Sequence, residues 1–136
     1  MKYLLDTNVL SELRRRDGSP RVRAWIDDHP DDACAISVIS ITEIESGLLG
    51  VADRDPPFAV RLRDGLERDI LEAFEGRTLP VDLAAARRAA RLRAPSEAAR
   101  YDALIAGTAL AHGLAVVTRN VRDFAGTGAR VIAPWV

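Results

Sequence analysis

Short apolar runs alternate with longer segments of helical spacing along the whole chain, and this alternation limits the folds open to it. Five runs read as buried strands: Lys2–Leu5, Ala33–Ile36, Thr78–Val81, Leu114–Thr118 and Arg130–Ala133. Each is nearly continuous in apolar residues instead of alternating with polar ones, so each is buried on both faces. Strands of that kind, separated by helices, form a parallel sheet with helices on both sides, an α/β fold. In such sheets ligands bind outside the carboxyl ends of the strands.

The intervening segments carry helix start and stop signals. Asp6-Thr7-Asn8 caps a helix that ends before Gly18-Ser19-Pro20, and Arg21–His29 is a second helix closed by Pro30. Ser37 caps a third that runs to about Leu49, with Gly50 as its stop. Pro56-Pro57 opens a long amphipathic helix ended by Gly76, and Asp82 caps another to about Arg93. Tyr101–His112 is the last long helix, closed by Gly113. With 136 residues and no linker or repeat, residues 1–136 are expected to form a single domain.

Composition excludes several chemistries. The 19 basic and 20 acidic residues leave a net charge of -1, so nucleic acid would have to be held by a local site and not by bulk charge. Lys2 is the only lysine, which removes the P-loop, Schiff-base enzymes and receiver domains that need an interior lysine. His29 and His112 are the only histidines and Cys34 the only cysteine, so neither a zinc cluster nor a disulfide is available. No apolar run reaches the roughly 20 residues of a membrane span, and the chain turns acidic by Asp6 where a secretory signal would still be apolar. A cytoplasmic protein with no membrane partner is expected.

Chemistry then falls to carboxylates. Asp6 closes the first strand on the ligand-binding edge, and it serves equally well as a helix cap. Thr7 and Asn8 either cap or orient it. Glu43 is flanked on its helix face by Ile39, Ser40, Ser46 and Gly47, which places a charge in a gap; the bland alternative is a capping box, Ser40-x-x-Glu43. Gly47 within a helix suggests a close approach there. Asp102 opens its helix, where the macrodipole favours an acid, yet it borders the core beside Leu104 and Ile105, so an arginine or a metal ion must lie near it. Thr118-Arg119-Asn120 and Asp123 follow the fourth strand, on the same edge as Asp6, although Asn120 and Asp123 taken singly are ordinary turn residues. Four acids, Asp6, Glu43, Asp102 and Asp123, converging on one edge would select Mg²⁺ or Mn²⁺ and suit a metal-assisted nuclease.

The segments Leu5-Asp6-Thr7-Asn8-Val9-Leu10-Ser11-Glu12, Ser37–Glu45, Asp102-Ala103-Leu104-Ile105-Ala106, His112-Gly113-Leu114, Thr118–Phe124 and Pro134-Trp135, in that order, resemble the PIN-domain ribonuclease toxins of the VapC family, near the FitB-like branch, over essentially the full length. The resemblance implies a three-layer α/β/α fold around a mainly parallel sheet. It also implies a Mg²⁺- or Mn²⁺-dependent endoribonuclease, the toxin of a type II toxin–antitoxin pair, cutting structured RNA such as tRNA or ribosomal RNA. The family's first three acids fall on Asp6, Glu43 and Asp102; the fourth is divided between Asn120, where the branch often has Asp, and Asp123. Thr7, Asn8, Thr118 and Asn120 are supporting positions.

Arg14, Arg15, Arg16, Arg119 and Arg122 are candidate phosphate contacts, with a solvated surface as the alternative for Arg14–Arg16. The resemblance further implies a homodimer and a VapB-type antitoxin laid across a groove, for which Trp25, Leu48, Leu49 and Phe58 are candidates if they are not core. Two readings compete. A haloacid dehalogenase-type phosphatase would need a second Asp at Asn8 and an interior lysine. A catalytically weak PIN-like module that binds RNA or a partner would explain Asn120.

Overall fold

The structure is a computed structural model and describes residues 1–135. Strands β1 (Tyr3–Leu5), β2 (Cys34–Ser37), β3 (Thr78–Leu79), β4 (Ala115–Val117) and β5 (Val131–Ile132) form one parallel sheet in the order β3-β2-β1-β4-β5. Register is continuous across its centre, where Leu4 pairs with both Ala35 and Val116. From β1 the chain builds outward through β2 to β3, then returns to lay β4 and β5 on the other side. The order therefore reverses between β1 and β4, and in parallel sheets ligands bind outside the strands' carboxyl ends at such a point.

Successive strand residues point to opposite faces and are covered on both. Leu4, Ala35 and Val116 pack with Ile105, Ala106, Ala109 and Phe124; Leu5, Ile36 and Val117 pack with Val9, Leu10, Val22, Leu66 and Ile70. Two apolar cores on either side of one sheet make the three-layer α/β/α arrangement. The helices are α1 (Thr7–Arg14), α2 (Pro20–Asp27), α3 (Val38–Ala52), α4 (Pro56–Gly65), α5 (Leu83–Arg91), α6 (Glu97–His112) and α7 (Val121–Phe124). Gly113, with φ 68°, ends α6 in the left-handed conformation, as a C-terminal glycine should.

Several boundaries differ from the sequence reading, and α7 was not read from it. Helix α3 passes through Gly50 to Ala52, because one glycine costs only about 1 kcal/mol in a helix. The helix from Pro56 is not uniform: after Gly65 it widens into a π turn over Leu66–Glu72. Helix α6 begins at Glu97, four residues before Tyr101, because the Ser96 hydroxyl accepts the Ala99 N–H and supplies an earlier cap. Asp102 thus lies in the second turn, beyond the strongest influence of the helix N-terminus.

Candidate active site

Asp6 stands at the carboxyl end of β1, at the strand-order reversal, with 4% of its surface exposed. Its N–H donates to Val117 O at 2.9 Å, which joins the ends of β1 and β4. Its carboxylate accepts from Thr7 N (2.8 Å), Thr118 Oγ1 (2.8 Å) and Asn8 Nδ2 (3.2 Å). The cap reading therefore holds: Asp6 caps α1 through the Thr7 N–H. Asn8 Oδ1 accepts the Arg119 N–H at 3.2 Å, and Thr118 Oγ1 accepts the Asn120 N–H at 3.0 Å, so the four supporting positions form one network fastening the loop after β4 to the start of α1. Burial still pushes the Asp6 carboxyl above its usual range, and the neighbouring Asp123 adds to this.

Glu43 lies in the second turn of α3. The cap of that helix is Ser37, which accepts the Ile39 N–H at 3.0 Å, so the Ser40-x-x-Glu43 capping box is not formed. Instead Thr7 Oγ1 donates to Glu43 Oε1 at 2.8 Å and also lies 2.8 Å from Ser40 Oγ. Burial raises the Glu43 carboxyl and Asp6 raises it further, against the hydrogen bond from Thr7. Among the described residues an added Cβ at Gly47 would meet nothing within 4 Å, so the close contact suggested by that glycine is not made by them.

Asp102 brings the cluster together. Its carboxyl is pushed up to about 6 by burial first, then by the charges of Asp6, Asp123 and Glu43. A single side chain thus senses the other three acids, which come from β1, α3 and α7. Asp123 is exposed on α7, where the buried Phe124 anchors it; Asn120 precedes that helix, and its side chain makes no capping hydrogen bond.

The expected counter-charge is not an arginine. Among the described residues the ion pairs are Arg15–Asp17 and His112–Asp82, and neither touches the cluster. Nor do any three acidic, histidine or cysteine side chains close into a ready-made ligand cage. The donor set is all oxygen, buried on one side and open on the other. It therefore fits a hard divalent ion that takes one or two carboxylates and retains water, as Mg²⁺ does, better than an ion needing a full protein cage.

The candidate arginines are placed unequally. Arg119 and Arg122 are exposed beside Thr118 and Asp123, and the Arg119 guanidinium lies 6.0 Å from the Trp135 ring. Arg14 is engaged elsewhere: it donates to Leu62 O at 3.4 Å and fills the space over Gly65, where a Cβ would come 3.2 Å from its Nη2. Arg15 and Arg16 are exposed at the far end of α1, about 12 Å from Asp6 along an eight-residue helix. Of the groove candidates, Leu48 is core and Trp25 is half-buried in a stack with His29, whereas Leu49 and Phe58 are exposed.

A family model described as the PIN domain matches residues 3–129. The chain belongs to the PIN-domain family. Among its curated relatives are the plasmid stability protein StbB of Pseudomonas syringae pv. tomato, 38% identical over 97% of both chains, and the VapC ribonuclease Y4jK of Sinorhizobium fredii, 36% identical over 97% of this chain and 96% of that one. Among solved structures, FitAcB from Neisseria gonorrhoeae superposes with a TM-score of 0.86 at 34% identity, covering 98% of each chain. A toxin–antitoxin complex from Klebsiella pneumoniae does so with a TM-score of 0.65 at 27% identity, again over 98% of each. In this PIN domain Ser40, read from the sequence as a small neighbour of Glu43 or a capping-box serine, proves to be a partner of Thr7. Its place three residues before Glu43, on the same helix face, was the available signal.

Proposed function

We propose that this PIN domain is a divalent-metal-dependent endoribonuclease, the toxin of a toxin–antitoxin pair, acting on structured RNA in the cytoplasm. The observation that carries the reading is that Asp102, pushed up to about 6 by burial and by the charges of Asp6, Asp123 and Glu43, shares with them the lack of any ion pair among the described residues. Those four would hold Mg²⁺ or Mn²⁺, with Asp123 rather than Asn120 supplying the fourth charge. When bound there, such an ion lowers the pKa of a water and offsets charge on a scissile phosphate.

The chain's own residues do the remainder. Thr118, Asn8 and the Thr7 N–H hold the Asp6 carboxylate, and the Thr7 hydroxyl holds Glu43. Asp102, its carboxyl pushed up to about 6 without metal, is mostly ionised at neutral pH, and a bound cation would favour that charged form further. Arg119 and Arg122 contact RNA phosphates at the rim, with Arg15 and Arg16 reaching more distant ones. Leu49 and Phe58 belong to the surface that a VapB-type antitoxin covers, and the toxin pairs as a homodimer.

The test is a Mg²⁺ and Mn²⁺ titration with an end-labelled tRNA and ribosomal RNA pool, on the wild type and on Asp6→Asn. Cleavage should require the ion, stop with a chelator and be undetectable in Asp6→Asn. Binding of RNA without cleavage at any ion concentration would replace this reading with that of a binding module. Cleavage that persists in chelator would refute both.

A further inference from the structure

Thr7 Oγ1 is 2.8 Å from Glu43 Oε1 and 2.8 Å from Ser40 Oγ, yet a threonine hydroxyl has one proton to give. Glu43 ionised for cation binding only accepts, so the Thr7 proton is committed to it. The contact with Ser40 then has a single direction: Ser40 donates and Thr7 accepts. Ser40 is 0% exposed, and Thr7 is its one side-chain hydrogen-bond partner among the described residues. Its proton therefore has no competing destination in water or protein.

The two ends of this chain of hydroxyls lie on different elements. Thr7 is the first residue of α1, next to Asp6, whereas Ser40 and Glu43 lie one turn apart on α3. We propose that Ser40 is a positioning residue that acts through Thr7, and that the Ser40–Thr7–Glu43 relay fixes the Glu43 carboxylate for a divalent cation shared with Asp6. This inference rests on the metal-dependent reading above and deepens it. A glutamate free to sample its rotamers would pay ordering entropy each time it closed on an ion; the relay orders it beforehand. Hydrogen bonds in series also polarise one another, so Ser40 strengthens the Thr7–Glu43 bond without touching the carboxylate.

The experiment is calorimetric titration of metal-free protein with MnCl₂, with thermal unfolding of each variant alongside. Thr7→Val should weaken Mn²⁺ binding by about 10–100-fold, the range for residues that orient metal ligands. Ser40→Ala should weaken it several-fold, and Thr7→Ser, which keeps the hydroxyl, should bind within about twofold of wild type. Because Ser40 acts only through Thr7, the double variant should bind no more weakly than Thr7→Val alone. Wild-type affinity in Ser40→Ala, or additive losses in the double variant, would overturn the relay. If Thr7→Val does not fold, Ser40→Ala and Thr7→Ser decide between the same outcomes. Glu43→Gln is the separate control: if it binds Mn²⁺ as wild type does, the metal-dependent reading itself fails.

Discussion

Asp102 concentrates the electrostatic cost of this fold in one side chain. Its carboxyl titrates at about 6 in the metal-free protein, above the ordinary 3.8, so between those values the folded state binds more protons than the unfolded chain. Stability must then fall as pH rises through that window, and the ionised group opposes folding at pH 7 and above. Asp102→Asn should accordingly raise the melting temperature of chelator-treated protein at pH 7.5 and give no such gain near pH 4. An equal effect at both pH values would show that burial and the neighbouring acids do not disfavour the charged form of Asp102 as described. Mn²⁺ affinity of the wild type should also decline as pH drops below about 6, where the proton competes with the ion. At this scale the sequence was informative about identity: Asp6, Glu43 and Asp102 stand out because each is a charge set among apolar or small neighbours. It was silent on partners, since the contact of Thr7 with Ser40 spans 33 positions and depends on how α1 and α3 pack.

Helices show where local pattern succeeds and where packing decides. Ser37 and Asp82 are caps that the sequence reading named, whereas Ser19, Asp55 and Ser96 are caps it did not name; each accepts a backbone N–H at a helix start. Glycines do not announce their roles in the same way. Gly47 and Gly107 both lie inside helices, but an added Cβ at Gly107 would come 2.5 Å from Ala85 O and 2.8 Å from Ala89 N, while at Gly47 it would meet nothing. Gly47→Ala should therefore stabilise the protein by about 0.5–1 kcal/mol, from helix propensity alone. Gly107→Ala should destabilise it by about 1–3 kcal/mol by forcing α5 and α6 apart. Chemical denaturation of the two variants checks both signs. The π turn after Gly65 was not legible because widening by one residue leaves no mark in composition.

The molecule as a whole turns distant acids into one site through its topology. Strand order reverses between β1 and β4, so Asp6 and Thr118, 112 positions apart, meet at 2.8 Å, and α3 and α6 bring Glu43 and Asp102 toward the same edge. The rule for parallel sheets made that edge readable in advance, whereas the pairing order that reverses there is a property of the assembled sheet. A ligand that binds only the folded state stabilises it by mass action, about 2.7 kcal/mol at a hundred times its Kd. Saturating Mn²⁺ should thus raise the melting temperature of the wild type and leave Asp102→Asn nearly unmoved. The most direct measurement is anomalous scattering from a crystal soaked in MnCl₂. The account predicts a manganese peak within about 2.5 Å of carboxylate oxygens of both Asp6 and Asp102. Soaked crystals in which those two carboxylates share no peak would contradict it.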